Sequence, residues 1–340
     1  MFFLRLSIFF SLFFCVMHAA VIDEKVLICG IARNIEKAIP NTIESIGKLG
    51  SNFSDYRVII YENNSSDKTK EKFKKWAKKD RRVIFISEYV SKKKMAKQLS
   101  MGIVNRTELI ARARNIVLDK AMSKKFDDYK YVIWADLDFL EPWDVEHIVE
   151  SITHPEKEWD AVFAYGAYDL FALRTEEWPV GFELVGLHYW DQLDQIRNEF
   201  VLQKEDPWKK VYSAFGGIGI YKRDAIKGCR YSGVVTNDLE KVTARWLEKA
   251  RDKKGVIFLD KYDELLLNEK IVELDGSIVQ KREEYPDPLG VRLKGGRLAW
   301  FSCTKNTTLP WVCEHIPFHA LMVLNGHDRL YINPKIQCSP

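Results

Sequence analysis

Two aspartates, Asp136 and Asp138, stand one residue apart at the end of an apolar run. The stretch reads "YVIWADLDF" and spans residues 131–139. A buried strand avoids carboxylates unless they are paired or bind a metal, so the sequence predicts that the pair lies just beyond a strand end. Such a pair is typical of a site for a divalent metal and a phosphate group, but a polar strand exit would give the same short pattern. Both interpretations stay open on these residues alone.

The segments around this pair alternate between two patterns. Continuous apolar runs predict strands, and helical spacing of apolar residues predicts helices. The predicted strands lie in "KVLICGIARN", "YRVIIYENNSSDKT", "RRVIFISE" and "YKYVIWADLDF", and the predicted helices in "NIEKAIPNTIESIGKLG", "TKEKFKKWAKK" and "RTELIARARNIVLDKAM". This alternation predicts an α/β fold with a mainly parallel central sheet flanked by helices.

Polar side chains follow three of the predicted strands. Ligands of such sheets bind outside the carboxyl ends of the strands. That rule places Arg33, residues 62–67 and the aspartate pair along one rim. The second half of the chain is less regular, and a break near Pro155 indicates a boundary inside one domain of residues 25–338.

The composition is that of an ordinary globular protein, with 46% hydrophobic and 29% charged residues. The formal net charge of +4 is small for 340 residues. The lysine-rich stretch "KTKEKFKKWAKKDRR" is interpreted as a solvated helix face. Because zinc-finger spacing, an RNA-binding signature and a strongly basic domain are all lacking, no nucleic-acid partner is predicted.

The first 22 residues are predicted to be a targeting segment outside the fold. An apolar run extends from Leu6 to Ile22 after the early cation Arg5. Its length lies between that of a signal-peptide core and that of a short membrane anchor, so both stay open. In either case the chain is expected to be exported or to lie in the secretory-pathway lumen. An anchor at residues 6–22 would add membrane association.

An exported chain can form disulfides. Four cysteines, enough for two bridges of unreadable connectivity, lie outside the first strand and the targeting segment: Cys229, Cys303, Cys313 and Cys338. Cys29 ends an apolar run, where a buried free thiol is expected.

A nucleoside diphosphate-sugar is a ligand that the predicted rim would suit. Its pyrophosphate takes a divalent ion with oxygen ligands, usually Mn²⁺ or Mg²⁺. Asp136 and Asp138 could reach one ion together, and the metal would stabilise the departing nucleoside diphosphate as a Lewis acid. Glu62 and the "NNSSD" after it could accept hydrogen bonds from the base and the ribose.

Several motifs, in their order and spacing, resemble those of the GT-A glycosyltransferases, which share a Rossmann-like nucleotide-diphospho-sugar transferase fold. These motifs are "VIIYENNSSDKT", "IARARNIVLDKA", the DxD motif in "VIWADLDF", and "CEHIPFHALMVLNGHDRLYINP". Together with "YDLFALR" and "FGGIGIYKRDAI", they are most similar to the fungal capsule-associated α-mannosyltransferases and their bacterial and viral relatives. The resemblance spans about Lys25 to Pro334.

The resemblance implies an activity and a division of the domain. The activity is metal-dependent transfer of a hexose, with GDP-mannose as the best-supported donor, to a glycan, lipid-linked or protein-linked acceptor. Residues 25–150 would form the nucleotide-sugar-binding half, and residues 151–338 the acceptor-binding and catalytic half.

The resemblance also implies a role for particular residues in the donor site. Glu62 and Asp67 would contact the base and the ribose, and Arg33 would lie near the phosphates. Arg114 and Asn115 match a helix that lines the donor pocket. Two of these residues have a plainer interpretation, because Arg114 could pair with Glu108 or Asp119 along its own helix and Arg33 could be an ordinary surface residue.

The remaining implied roles concern the metal and the sugar. Asp136 would bind the ribose or metal-bound water, and Asp138 would ligate the metal. Glu314 matches the acidic catalytic position, and His315 replaces the usual aspartate beside it, as a metal ligand or a group behind the ligands. Gly216 and Gly217 would let the backbone approach a sugar, although they could simply form a turn.

Three other classes of protein compete with this interpretation. In haloacid-dehalogenase-type phosphatases the aspartate pair follows the first strand, whereas here it follows about the fourth. A nucleotidyltransferase is expected to have a glycine-rich basic loop after its first strand. The corresponding segment "GIARNIEKAIP" contains one glycine, which disfavours that class. A non-catalytic carbohydrate-binding protein would keep the fold without turnover, and an assay separates it from an enzyme.

Overall fold

A central sheet with helices on both faces forms the body of the protein. In this computed structural model the described residues are 21–91, 93–94, 106–154, 157–166, 169–181, 189–251, 293–294, 297–298 and 311–338. Within these residues the largest sheet has eight strands in the order β3-β2-β1-β4-β7-β5-β10-β6. The strands are β1 (Ile22–Ala32), β2 (Phe53–Asn63), β3 (Val83–Glu88), β4 (Tyr131–Ala135), β5 (Ala161–Tyr165), β6 (Lys209–Lys210), β7 (Ile218–Lys222) and β10 (Leu330–Gln337); a separate hairpin pairs β8 (Leu293–Lys294) with β9 (Arg297–Leu298).

Most strands of the large sheet run in one direction. β3, β2, β1 and β4 are parallel neighbours, and β5 is parallel to β10. β7 lies between β4 and β5 and is antiparallel to both, which leaves β5 running in the same direction as β4. The short β6 is antiparallel to β10 at the edge. The predicted α/β fold with a mainly parallel central sheet is therefore confirmed.

The helices cover both faces of the sheet, which explains the unbroken apolar runs of the strands. The described helices are α1 (Ile39–Gly50), α2 (Thr69–Lys79), α3 (Arg106–Ala121), α4 (Val145–Thr153), α5 (Tyr189–Glu199), α6 (Asn237–Arg251) and α7 (His315–Leu324). One hydrophobic core includes Leu27 and Cys29 of β1 together with residues of α3, α6 and α7. The other includes Val26 and Ile28 of β1 together with residues of α1, α2 and α4.

Several element predictions hold closely, and the antiparallel strand was not foreseen. The helix predicted over residues 69–79 is observed as α2, and that over residues 106–122 as α3. The sequence did not indicate that β7 would insert antiparallel between β4 and β5. Strand direction is set by pairing with distant strands, and the local pattern of β7 does not carry it.

The predicted targeting segment and the sheet share a residue. β1 begins at Ile22, which pairs with Phe53 of β2, so the last residue of that segment belongs to the fold. Residues 1–20 lie outside the described part of the chain. Among the residues that the structure describes, no helix combines the length and the apolar character needed to cross a membrane.

The cysteines agree only in part with the predicted buried thiol and disulfides. Cys29 is a buried free thiol, as predicted. Cys229, Cys313 and Cys338 are also free, so no bridge forms among these three. The Asn325 amide lies 4.0 Å from the Cys229 sulfur, and the Cys313 thiol lies 3.8 Å from the Glu314 carboxylate. Cys303 lies outside the described residues.

Candidate active site

The aspartate pair lies where the sequence predicted, just beyond the end of β4. Leu137, between the two aspartates, is 2% exposed and packs so closely on Gly30 of β1 that a Cβ there would lie 2.6 Å from the Leu137 Cγ. The Thr42 hydroxyl of α1 donates to the Leu137 carbonyl at 2.7 Å and fixes this bend. As a result Asp136 is half-buried and Asp138 is exposed to solvent.

A buried ion-pair network joins Asp136 to two distant elements. Arg114, on α3, donates from Nε to Oε1 of Glu314 at 2.9 Å and from Nη2 to Oδ1 of Asp136 at 3.4 Å. Glu314 is the residue directly before α7. The side chains of Arg114 and Glu314 are only 5% and 7% exposed. Three residues that lie far apart in the sequence thus meet at the carboxyl edge of the sheet.

Aromatic rings enclose the guanidinium of Arg114. Its Cζ lies 4.7 Å from the ring centroid of Phe215, 5.3 Å from Trp134 and 5.8 Å from Tyr231. Burial opposes the charge, but Glu314 and Asp136 raise the pKa of Arg114 above its usual value. The arginine therefore stays charged. Its Nη1 is buried and has no hydrogen-bond partner among the described residues.

The interpretation that Arg114 pairs along its own helix is wrong. The side chain of Arg114 turns into the core, whereas Asp119 lies on the exposed face of α3 and pairs with Arg230. Sequence spacing predicted a helix-surface pair, but the inward face of α3 places Arg114 against Glu314 instead.

Replacing Arg114 with methionine is expected to destabilise the fold strongly. Truncating one partner of a buried ion pair typically costs about 3–5 kcal/mol, because the other charge is left buried and unpaired. Urea unfolding should show this loss, and adding Glu314→Gln in the same chain should recover part of it. Arg223→Met is the matched control, since Arg223 is also buried but its partner Asp127 is 64% exposed. Equal losses for the two arginine variants would contradict the pairing described here.

His315, the predicted metal ligand, lies in an apolar setting. It is 1% exposed, and its ring stacks on Phe215 with centroids 4.0 Å apart. Burial, together with Arg114 and His319, lowers the pKa of His315 well below its usual value, so the ring is neutral. Its Nε2 lies 3.4 Å from Oε1 of Glu314, and within the described part of the chain neither ring nitrogen makes a hydrogen bond. A neutral imidazole can ligate a metal, and that role stays a prediction.

The loops after β1 and β2 are fastened to each other through their polar side chains. Glu62 is 1% exposed, and its carboxylate accepts hydrogen bonds from the Ser65 amide at 2.8 Å and the Ser87 hydroxyl at 2.7 Å. Asp67 accepts from the backbone of Glu36 and of Thr69, each at 3.0 Å. Although partial burial opposes it, the Thr69 and Glu36 hydrogen bonds lower the pKa of Asp67. Both carboxylates thus shape the rim, and their contacts to a base or ribose stay predictions.

A cavity of about 360 Å³ opens beside these loops. Arg33 lines it from the end of β1, and Tyr61 and Asn63 line it from β2. The first turns of α3 contribute Arg106 and Leu109. Two arginines at its wall would suit an anionic ligand, so the predicted place of Arg33 near phosphates is compatible with the cavity.

The side-chain amide of Asn115 is hydrogen-bonded to the backbone of Tyr231. Its amide donates to the Tyr231 carbonyl at 2.9 Å and accepts from the Tyr231 amide at 3.0 Å. This pair of hydrogen bonds holds Tyr231 beside Arg114. The donor-pocket role predicted for Asn115 is not tested by these contacts.

The glycine pair forms a tight turn before β7. Gly216 and Gly217 have φ angles of 60° and 87°, the left-handed region that favours glycine. A Cβ on Gly216 would lie 2.2 Å from the carbonyl oxygen of Ala164 at the end of β5. The Gly217 carbonyl accepts a hydrogen bond from the Asp136 amide at 2.8 Å. The turn therefore holds Asp136 in place, and the predicted approach of a sugar to these glycines is untested.

Gly216→Ala is expected to destabilise the protein by at least about 1–3 kcal/mol, the usual cost of a non-glycine residue in a strained backbone conformation. The clash with Ala164 adds to that cost. Gly47→Ala is the control, because a Cβ at this helical position meets nothing within 4 Å and should stabilise the helix. Thermal unfolding of the two variants measures the difference, and a neutral Gly216→Ala would show that the turn tolerates a side chain.

The residues at the rim fit part of a divalent-metal site. Asp138 is exposed, and within the described residues it makes no hydrogen bond or ion pair. Asp136 supplies a second carboxylate with a side chain 28% exposed. No group of three or more metal-ligating side chains occurs in the described part of the chain. Two carboxylates would therefore leave coordination positions to oxygens of a bound diphosphate, the ligand type that Mn²⁺ and Mg²⁺ prefer.

A family match covers the first strands of this rim. Residues 27–103 match the family described as Glycosyl transferase family 2. The match includes Arg33, Glu62 and Asp67 but ends before Arg114, the aspartate pair and Glu314. No curated protein matches the chain.

Solved structures of glycosyltransferases are similar to parts of the chain. Mannosyltransferase PcManGT from Pyrobaculum calidifontis, in complex with GDP-Man and Mn²⁺, is 14% identical with a TM-score of 0.37, covering 63% of this chain and 50% of that one. S. aureus TarS 1–349 is 13% identical, TM-score 0.35, covering 61% and 50%. Glucosyl-3-phosphoglycerate synthase from Mycobacterium tuberculosis, with Mn²⁺ and UDP, is 15% identical, TM-score 0.34, covering 61% and 59%. The chain thus spans half to three-fifths of the length of these proteins.

Proposed function

We propose that the protein is a metal-dependent glycosyltransferase that uses a nucleotide-sugar donor. The observation that carries the proposal is the meeting of Arg114, Asp136 and Glu314 at the carboxyl edge of the sheet, next to the exposed Asp138. These residues come from three separate parts of the chain, and a plain polar strand exit would not need a buried arginine between two carboxylates. The match of residues 27–103 to Glycosyl transferase family 2 supports the same reaction class.

Each group at the rim has a task in the proposed reaction. Asp138 and Asp136 would hold Mn²⁺ or Mg²⁺, which when bound stabilises a departing nucleoside diphosphate as a Lewis acid. Arg114 holds both Asp136 and Glu314 in fixed positions, so the carboxylates do not need to reorganise during the reaction. Glu314 would act on the transferred sugar or on the acceptor hydroxyl. Glu62, at the end of β2, and the loop bearing Asp67 would form the wall for the base and the ribose.

The proposed donor is based on the motif resemblance described above, and the proposed acceptor follows from the same resemblance. GDP-mannose is the proposed donor, and it is supported by the resemblance of the motif series to α-mannosyltransferases. The acceptor would be a glycan, or a glycan linked to lipid or protein. Export or a secretory-pathway lumen is the proposed location, supported by the apolar residues 6–22, which would also associate the protein with membranes if they are retained.

A screen of nucleotide-sugars tests the proposed function. Purified protein is incubated with GDP-mannose, UDP-glucose, UDP-galactose and UDP-N-acetylglucosamine, each with Mn²⁺ or with EDTA, and released GDP or UDP is measured. We expect release from at least one donor with Mn²⁺, strongest with GDP-mannose, and none in EDTA. Hydrolysis of p-nitrophenyl phosphate, added as a separate substrate, without release of nucleoside diphosphate from any donor would favour a phosphatase. Tight glycan binding without turnover of any donor would favour a non-catalytic carbohydrate-binding protein.

A further inference from the structure

A further carboxyl group, that of Asp169, lies at the same rim and has no role in the account above. It follows β5, which runs in the same direction as β4, so the two strands end at the same edge of the sheet. Asp169 is half-buried, and within the described residues its carboxylate makes no hydrogen bond or ion pair. A partly buried carboxylate without a partner is unusual, because removing its water costs free energy that a hydrogen bond would normally offset.

The backbone fastens Asp169 to the segment that holds Asp136. The Asp169 amide donates to the Gly166 carbonyl at 3.1 Å. Gly166 packs so tightly on Gly216 that a Cβ on Gly166 would lie 2.6 Å from the Gly216 carbonyl oxygen. The next residue, Gly217, accepts the hydrogen bond from the Asp136 amide. Asp169 is therefore placed relative to Asp136 by a continuous series of backbone contacts.

The electrostatic surroundings agree with this placement. Partial burial and repulsion from Asp136 and Glu314 raise the pKa of Asp169 well above its usual value, against an attraction from Arg114. Arg114, only 4% exposed, already binds Asp136 and Glu314 and keeps one buried nitrogen, Nη1, without a partner. Among the described residues, the Asp169 carboxyl group and Nη1 of Arg114 thus have no hydrogen-bond partner, as expected where a polar ligand completes the site.

The Glu314 carboxylate is largely buried and engaged by other groups, so a second carboxyl group would help it to position an acceptor. Its Oε1 accepts from Arg114, its Oε2 lies 3.8 Å from the Cys313 thiol, and its side chain is 7% exposed. The order of the strands in the sheet places the proposed nucleoside, metal and acceptor sites side by side. β2 and β1 carry the loops proposed for the nucleoside, β4 carries the metal-binding pair, and β5 lies on the far side of β4 from them. Asp169, which follows β5, accordingly lies on the side of the aspartate pair opposite the loops proposed for the nucleoside.

We propose that Asp169 is the acceptor-binding carboxyl group of this site and makes a hydrogen bond with the sugar hydroxyl that receives the glycosyl group. The inference rests on the proposed function, and it names a residue outside the aspartate pair and Glu314. The acceptor class that it implies is a polyhydroxylated molecule, whose hydroxyl would satisfy the unpartnered carboxyl group.

The test compares Asp169→Asn and Asp169→Ala with Asp328→Asn. Asp328 is an exposed carboxylate just before β10, at the opposite edge of the sheet. Methyl α-D-mannopyranoside and methyl α-D-glucopyranoside serve as acceptor probes with GDP-mannose and Mn²⁺, and the disaccharide product is quantified. GDP affinity and the unfolding temperature are measured for each variant.

We expect both Asp169 variants to lower acceptor kcat/KM by about tenfold to a hundredfold, as loss of a hydrogen bond to a substrate group would. GDP affinity should stay within about twofold of wild type, and the unfolding temperature should not fall, because removing a carboxylate repelled by its neighbours costs no stability. The Asp328→Asn control should match wild type in all three measurements.

Two kinds of failure can be told apart. If wild type releases no nucleoside diphosphate from any donor, the proposed function is overturned and this inference with it. If wild type turns over the donor but the Asp169 variants transfer to the probes as well as wild type does, this inference alone is overturned. This inference is also overturned if wild type transfers no sugar to either probe. It is overturned as well if the Asp169 variants lose GDP affinity or stability to the same degree as they lose transfer.

Discussion

Asp138→Asn is expected to reduce metal-dependent turnover to background, a loss of at least about a thousandfold. The carboxylate is exposed, makes no hydrogen bond or ion pair within the described residues, and is the side chain at the rim that is most free to take a cation. An amide oxygen is a weaker, neutral ligand, and the loss of the metal removes several kcal/mol of charge stabilisation from the transition state. The measurement is GDP release from GDP-mannose at saturating Mn²⁺.

Stability serves as the control for this variant. Because Asp138 does not support the core, its replacement should leave the unfolding temperature unchanged. Glu141→Gln, at another exposed carboxylate of the same loop, should keep wild-type turnover. A collapse in the stability of Asp138→Asn, or equal losses of turnover in both variants, would favour the interpretation of this segment as an ordinary polar strand exit.

Glu314→Gln is expected to lower turnover by about a hundredfold while the affinity for nucleoside diphosphate persists. A general base in this position would contribute about 10²–10⁴-fold, and the lower end is expected because Glu314 is buried and held by Arg114. The amide keeps the shape of the side chain but removes the charge that orients the guanidinium. Steady-state kinetics and calorimetric GDP titration separate the two effects.

One outcome for Glu314→Gln would contradict the role proposed for this residue. If Glu314→Gln loses GDP affinity and turnover to the same degree, the residue belongs to the nucleotide site and not to the sugar or the acceptor. Asp160→Asn offers a comparison, because Asp160 is likewise buried and paired with an arginine, Arg329, but lies before β5 at the other end of the sheet. That variant should lose stability without a selective loss of turnover.

The place of the aspartate pair could be predicted from the sequence for a physical reason. An apolar run of strand length cannot continue through two carboxylates, so the strand had to end before Asp136, and β4 ends at Ala135. Alternation of strands and helices predicted the parallel order, which brings the ends of β1, β2 and β4 to one edge. Local pattern and a general rule of sheet topology were sufficient for that part of the rim.

The partners of the rim residues could not be predicted in the same way. Arg114 and Glu314 are 200 positions apart, and helical spacing suggested a partner for the arginine on its own helix. Glu62 was predicted as a ligand contact, and the structure shows its carboxylate binding Ser65 and Ser87. Asp169 belongs to the segment "YDLFALR", which contributed to the resemblance without an assigned chemical step, and its place depends on the contact between Gly166 and Gly216. Such contacts arise from packing between distant segments, which spacing along the chain does not encode.

Calorimetric titration of GDP into the wild-type protein, with Mn²⁺ and then with EDTA, tests most directly the claim that a divalent ion and a diphosphate complete the Asp136 and Asp138 site. In the absence of a cation the two carboxylates repel a diphosphate, and a bound ion reverses the local charge. We predict that Mn²⁺ tightens GDP binding by at least about tenfold, equivalent to ~1.4 kcal/mol, and that EDTA or Asp138→Asn removes this gain. Equal affinity with Mn²⁺ and with EDTA, together with undiminished turnover in EDTA, would contradict the account.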